Sequence, residues 1–311
     1  MNPQSYGSGS AFRIALEARL KDRAATEDID LQRLRRRVAF DRFLSRLAMQ
    51  DRERWALKGG YALEIELDIA RSTRDLDLVL RTSPEDTPGF TPVDATMAFL
   101  RTSAAVDAHD YFAFAVGRPM MEMEGLPYGG ARFPTSMFSQ CEWRLSIESR
   151  VGGRPFLTFH LDVAVGDTIV MPLQTIVLKD WLGFAGVAPA MVPVLSREQQ
   201  FAEKLHAYAT PRDSENPNSR VKDLVDMVLL LKDNTLRPAE TLDTLISVFR
   251  TRGQPRLPTA LGDPPSSWAT PFATMASECG ISTDVEEACK DVRSFYLRAL
   301  RELPKRSEEG S

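Results

Sequence analysis

LKGGYALEIELDIARSTRDLDLVL, residues 57–80, is the stretch that decides the fold of this 311-residue chain. Gly59 and Gly60 open a short apolar helix, and the strand that follows its loop carries Asp75 and Asp77. Side chains two apart on a strand share a face, so both carboxylates project together. Such a pair suits Mg²⁺, which takes one or two carboxylates and fills its remaining positions from water and substrate phosphates. Gly59 and Gly60 let the backbone approach a phosphate, and the helix N-terminus behind them favours negative charge. Each half is common by itself. With 43 acidic residues in the chain, chance alone gives about six acidic-x-acidic pairs, and most Gly-Gly pairs are ordinary turns. Glycines for a triphosphate and aspartates for its metal together describe a nucleotidyltransferase site, and the order of strand, Gly-Gly, helix, loop and acidic strand lifts the pair above chance.

Around this segment the pattern alternates helix and strand. Residues 1–10 are small and polar and are expected to be disordered. Helical spacing follows over 11–25 and 29–50, the second placing Leu31, Leu34, Val38, Phe43, Leu44 and Leu47 on one face. Arg33, Arg35, Arg36 and Arg37 occupy its other face, either as a solvated surface or as a phosphate-contacting patch. A strand at 54–58 leads into Gly59, a helix is expected near 93–107 and a strand at 110–117, and 118–140 is irregular. From Cys141, alternation of Trp143, Leu145 and Ile147 against polar neighbours, a Gly152-Gly153 turn and PFLTFHLDVAVGD make a β-hairpin. Residues 173–195 read as a loop with a strand-like TIVL. A helix starts after Ser196, whose spacing to Gln199 matches a capping box. The loop at 211–219 precedes a helix carrying RVKDLVDMVLLL, and another helix lies near 237–252. Five prolines between 253 and 271 make a linker or lasso, and a last helix near 283–303 leads to a loose tail. The expected division is a disordered 1–10, a core lobe with N-terminal helices over 11–195, a helical lobe over 196–303 and a flexible tail at 304–311.

Composition narrows the class. Hydrophobic residues at 43% and charged residues at 26% are ordinary for a globular protein. The net charge of −4 gives no global attraction to nucleic acid, though local basic patches remain possible. Cys141, Cys279 and Cys289 form no C-x-x-C pair, and His109, His160 and His206 lack metal-ligand spacing. No signal peptide or apolar run of membrane length is present, so a cytoplasmic protein without a membrane partner is expected.

The Gly-Gly turn followed by a D-x-D strand resembles the DNA polymerase β-like nucleotidyltransferase superfamily, and more specifically the AbiEii/MenT toxin family. The resemblance runs from about residue 40 to about 232. It implies an α/β (α+β) fold: a nucleotidyltransferase core with a small mixed sheet and a mostly helical C-terminal lobe. It also implies transfer of nucleotides from an NTP, with CTP as the family-based choice, to RNA, with tRNA 3′ ends as the acceptor, under restraint by a cognate antitoxin. Asp75 and Asp77 would hold Mg²⁺. Asp162, in FHLDVAV on the neighbouring strand, would complete the metal site or act as base. Lys204 of the E-K-L helix would meet the phosphates. R-V-K-D-L-V-D matches the last active-site motif, with Asp226 favoured to face the site over Asp223; a salt-bridged helix pairing Lys222 with Asp226 and Arg220 with Asp223 explains the same residues.

Lys58, Gly59, Gly60, Thr73 and Asp223 are the nucleotide-binding candidates, and Arg71, Arg74, Arg220 and Lys222 the RNA-binding ones. Many superfamily members have a serine directly after the first glycine, where this chain has Gly60; Ser72 or Thr73 could supply the hydroxyl. Two other functions stay open. One is nucleotide transfer to a small molecule such as an aminoglycoside, which an acidic net charge suits. The other is a catalytically silent NTP-binding module, which retention of every acidic candidate disfavours.

Overall fold

The computed structural model describes residues 6–67, 71–81, 92–121, 141–210 and 220–303. The chain divides into two compact units. The first comprises Met1–Ile65, Ser72–Asp167 and Gln174–Val194; the second comprises Glu66–Arg71, Thr168–Leu173 and Leu195–Ser311.

The first unit is built on a mixed sheet. Its strands are β1 (Trp55–Lys58), β2 (Asp75–Leu80), β3 (Phe112–Val116), β4 (Met120–Met121), β5 (Cys141–Val151), β6 (Arg154–Val165), β7 (Gln174–Val177) and β8 (Met191–Val194). They lie in the order β3-β5-β6-β2-β1-β8-β7, with β4 also paired to β5. β2 is antiparallel to β1 and parallel to β6, and β1 is parallel to β8. The β5–β6 hairpin turns at Gly152 and Gly153, both at positive φ, where a side chain would be strained.

Helices α1 (Gly9–Glu27), α2 (Leu31–Gln50) and α4 (Pro92–Ala104) belong to this unit, and α3 (Gly59–Glu66) begins in it. The two-residue period of the strands puts Leu76 and Leu78, Leu161 and Val163, and Leu145 and Ile147 on one face, where they pack with Phe40, Phe43, Leu44 and Leu47 of α2. The polar positions of the same strands are thereby left together on the opposite face. Burial of this kind stabilises by about 1.5–3 kcal/mol per large side chain.

Several expectations change here. Residues 6–10, expected to be disordered, lead into and begin α1: Ser8 caps it by accepting from the Ala11 amide at 3.2 Å, and the Tyr6 ring packs edge-on against Phe12 at 5.8 Å. Three of the four arginines on that face of α2 are held by carboxylates rather than solvated. Arg33 and Arg37 both bind Glu64, at 2.7 and 2.8 Å, and Arg35 binds Glu17 at 2.6 Å. Further along α2, Arg42 and Arg46 are buried because both bind Asp110, at 2.6 and 2.7 Å. The TIVL stretch is β7, but 191–194, read above as loop, is strand β8. Residues 122–140 and 304–311 lie outside the described residues.

The second unit contains helices α5 (Arg197–Ala209), α6 (Val221–Lys232), α7 (Pro238–Thr251), α8 (Ala269–Glu278) and α9 (Val285–Leu300). The starts of α5, α7 and α9 each have a chemical reason. Ser196 accepts from the Gln199 amide, Pro238 sits in the first turn of α7, and Asp284 accepts from the Glu286 and Glu287 amides. Only half of the expected capping box forms, because the Gln199 side chain turns to Val170 N, Thr168 O and Glu203 instead. The proline-rich stretch is strapped down: Tyr296 donates to Pro258 O at 2.6 Å and Tyr208 to Gly262 O at 2.8 Å. It ends in α8, a helix not expected from the sequence. No helix among the described residues is long and apolar enough to cross a membrane.

Candidate active site

β2 and β6 run parallel in register, with Asp75 opposite His160 and Asp77 opposite Asp162. β5 places Arg144 opposite Asp162, and β1 places Lys58 opposite Asp77. One row across four strands therefore reads Lys58, Asp77, Asp162, Arg144: two carboxylates flanked by two cations. Neighbouring residues in such a row are about 5 Å apart, close enough to share one multiply charged ligand.

The carboxylates differ in what they already hold. Asp162 accepts two parallel hydrogen bonds from Arg144, both at 2.8 Å. The same guanidinium reaches within 4.0 Å of Asp75, and His160 Nδ1 lies 3.6 Å from the other Asp75 oxygen. Lys58 is buried and stands 3.4 Å from Asp167. The Asp77 carboxylate lies directly over Gly59, so a β-carbon there would overlap it, and Gly59 also has a φ of +72°. Glycine is required at this position on both counts. Thr73 is buried, its hydroxyl donating to Asp75 O at 3.3 Å and its amide to Glu64 at 3.3 Å. It braces the start of β2.

The donor set fits a divalent cation in part. Asp75 and Asp77 are hard oxygen ligands on one face, enough for an ion that takes its other ligands from phosphates and water. Among the described residues no three His, Cys, Asp or Glu side chains converge as a ready cage. Asp162 gives one lone pair of each oxygen to Arg144 and keeps the others, so it could serve as a third protein ligand while that pair stands.

The second unit holds a separate ionic cluster. Asp226 of α6 accepts from Arg71 Nε and Nη2, both at 2.8 Å, and from Lys204 Nζ of α5 at 2.7 Å. Asp223 lies 3.8 Å from Lys204 and 3.8 Å from Arg220. Burial alone would favour the neutral forms. The charges of Lys204 and Arg71 outweigh it and hold Asp226 below the usual carboxylate range, while Asp226 and Asp223 hold Lys204 above the usual lysine range. Of the salt-bridged-helix alternative, the Arg220–Asp223 pair forms but the Lys222–Asp226 pair does not: Lys222 is exposed, and Asp226 is engaged by Arg71 and Lys204. Arg71 is likewise engaged with Asp226, whereas Arg74 is exposed.

Within the first unit, then, Asp75, Asp77, Asp162 and Lys58 come together around Gly59, with Gly60 next in the chain. Within the second, Lys204, Asp223, Asp226, Arg71 and Arg220 do. Sequence reasoning missed Arg144, although the alternation of the hairpin put it on the polar face.

Comparisons with known proteins bear on the family and the fold. Residues 42–295 match the family described as nucleotidyl transferase AbiEii toxin, type IV toxin–antitoxin system. The fold is similar to that of MenT4, a nucleotidyltransferase toxin of Mycobacterium tuberculosis H37Rv, with 15% identity, a TM-score of 0.53, and coverage of 91% of this chain and 89% of that one. A second solved structure, JHP933 of Helicobacter pylori, aligns over 90% of this chain and 97% of its own at 12% identity, with a TM-score of 0.39. No curated protein sequence matches the chain. A family match spanning most of the chain, over a sheet that gathers the D-x-D carboxylates above a glycine turn, makes this protein a member of the AbiEii nucleotidyltransferase toxin family.

Proposed function

We propose that the protein is a Mg²⁺-dependent enzyme that transfers a nucleotide, CMP from CTP, to the 3′ end of tRNA, so arresting translation and growth in the cytoplasm until a cognate antitoxin restrains it. The observation that carries this reading is the in-register row of Asp77 and Asp162 beside Asp75 on one sheet face, above a glycine with no room for a side chain.

In the reaction, the acceptor 3′-hydroxyl oxygen forms a bond to the α-phosphorus of the NTP. The bond from that phosphorus to the bridging oxygen breaks, and pyrophosphate leaves with the electron pair. Asp75 and Asp77 would hold Mg²⁺, which when bound offsets the charge developing on the phosphate oxygens. Asp162, oriented by Arg144, takes the hydroxyl proton or completes the metal site. The backbone at Gly59 and Gly60, with Lys58, Thr73 and Asp223, belongs to nucleotide recognition; here Thr73 acts by bracing β2 rather than through a free hydroxyl. Lys204 supplies positive charge to phosphates, with Asp226 ordering it. Arg74, Arg220 and Lys222 are the cations proposed for RNA, and Arg71 contributes through Asp226.

Incubating the purified protein with total RNA and each labelled NTP in turn tests this. Label from CTP is expected on tRNA 3′ ends, dependent on Mg²⁺. Expression without antitoxin should stop bacterial growth, and Asp77→Asn should relieve the arrest. No product on RNA alongside clean transfer to an aminoglycoside would replace the acceptor with a small molecule.

A further inference from the structure

Beside the sheet, α2 carries a charge arrangement that the carboxylate face does not use. Glu64 is shared by Arg33 and Arg37 through one oxygen and takes the Thr73 amide on the other. Arg36, between them in sequence, is left out. Among the described residues its Nη2 reaches only the Ser72 hydroxyl, at 3.4 Å, and its Nε is buried with no hydrogen-bond partner. Arg74 is exposed, and its charge acts on Arg36. Burial first, then the charges of Arg74 and Arg33, lower the Arg36 pKa against the pull of Glu64 and Asp30. A buried guanidinium N–H lacking an acceptor costs stability, and an anion beside Arg36 and Arg74 would supply that acceptor while offsetting the repulsion between the two charges. Phosphate oxygens match the forked donors of arginine, and the Ser72 hydroxyl adds a further donor.

We propose that Arg36, Arg74 and Ser72 form a phosphate-binding site, and that its occupant is a backbone phosphate of the RNA acceptor. α2 packs on the apolar face of the sheet, with Leu76 and Leu78, whereas Asp75 and Asp77 alternate to the opposite face. A phosphate bound beside α2 is therefore set apart from the triphosphate that reacts at the carboxylates. An acceptor bearing phosphates along its length can occupy both places. The choice of occupant rests on the proposed RNA transfer; the phosphate site itself does not.

The test uses the full chain and a fluorescein-labelled tRNA, with anisotropy measured over a salt series and CTP affinity measured separately by equilibrium dialysis. The variants are Arg36→Gln, Arg74→Gln and their combination, with Arg35→Gln, whose guanidinium is held by Glu17, as control. The double variant should bind tRNA about tenfold more weakly, with a salt slope shallower by roughly one to two phosphate contacts. CTP affinity should stay within about twofold of wild type, and the control should match wild type. Loss of CTP affinity with unchanged tRNA binding would overturn the acceptor assignment and give the site to the triphosphate. Unchanged affinity for both, in a double variant with native circular dichroism and melting temperature, would overturn the site. Because binding needs no turnover, weaker tRNA binding by the double variant would stand even if the wild type transferred no nucleotide, whereas transfer by the wild type with tRNA binding unaffected by the substitutions would leave the enzyme and remove this site.

Discussion

Asp75 and Asp226 are both aspartates beside arginines, yet their surroundings are opposite. The Asp75 side chain is 38% exposed, and its nearest partners, His160 Nδ1 and the Arg144 guanidinium, stand at 3.6 and 4.0 Å. That of Asp226 is 1% exposed and takes three hydrogen bonds from Arg71 and Lys204. An exposed carboxylate held loosely can take up a multivalent ligand without first breaking a strong pair. A buried and saturated one fixes its neighbours in place, because removing it strands two cations in the interior. The sheet face is thus arranged for binding and the helical cluster for order.

The largest expected effects come from breaking each side of that contrast. Asp77→Asn should lower nucleotide transfer by about a thousandfold, several kcal/mol of transition-state stabilisation, while its denaturation midpoint stays near wild type. Asp226→Asn should destabilise the fold by about 3–5 kcal/mol through the uncompensated charges of Lys204 and Arg71. Urea titrations and initial rates on both variants check this. Full turnover in the first, or wild-type stability in the second, would remove the distinction.

A second comparison, between two buried acids of the helical unit, sets a pH dependence of opposite signs. Glu66 accepts from Gln200 at 2.9 Å, with Arg197 at 3.9 Å. Burial raises its pKa to about 7, and those two partners only partly oppose the rise. The folded state therefore keeps a proton that the unfolded chain releases near pH 4.3. This makes stability fall as pH rises from about 4 to about 7, by up to about 1.4 kcal/mol per pH unit, and level off above. Asp41 in the first unit, buried beneath the Tyr61 hydroxyl and the Trp181 indole, has a pKa also raised by burial to about 7 and adds in the same direction. Asp226, held below its usual range, works the other way: its contribution is full above the unfolded value and is lost as pH falls below it. Glu66→Gln should flatten the decline between pH 5 and 7 without touching the acid limb. Denaturation midpoints at pH 3, 5, 6 and 8 read both, and an unchanged slope in the variant would show that Glu66 is not the source.

The sequence exposes the sheet face better than it exposes the charge pairing around it. Period-two alternation puts Asp75, Asp77 and Asp162 on a polar face, and the Gly-Gly turn marks where the backbone must bend. Pairing across long sequence distances leaves no such period. Glu64 with Arg33 and Arg37, or Arg71 with Asp226 across 155 residues, depends on tertiary geometry. Local rules went wrong where a distant partner won: the i, i+4 spacing suggested Lys222 for Asp226, and Arg71 and Lys204 took it. β8 was hidden because a short strand with Pro193 in it carries little alternation, and it forms by pairing with β7 along its length and with β1 at Val194. Arg144 illustrates the limit most sharply. Counting back from the Gly152-Gly153 turn pairs Arg150 with Pro155 correctly, but a register shift at Ser149/Arg150 displaces every later pair by one. Without that irregularity Arg144 would face position 161 rather than Asp162.

Arg144 also supplies the smallest predicted stability effect and the finest test of the contrast. Its pair with Asp162 is partly exposed, at 30% and 25%, so Arg144→Ala should change stability by less than about 1 kcal/mol. Turnover should respond more. Two parallel hydrogen bonds fix the plane of the Asp162 carboxylate, and a misplaced group at a reacting centre costs roughly ten- to a hundredfold in rate. Arg144→Lys separates orientation from charge, since lysine keeps the cation but not the planar fork. The expected result is a kcat near that of Arg144→Ala, with the melting temperature of wild type. Recovery of full kcat by lysine would mean that Asp162 needs only a nearby positive charge, and the sheet face would then be held by electrostatics of the same kind as the buried cluster.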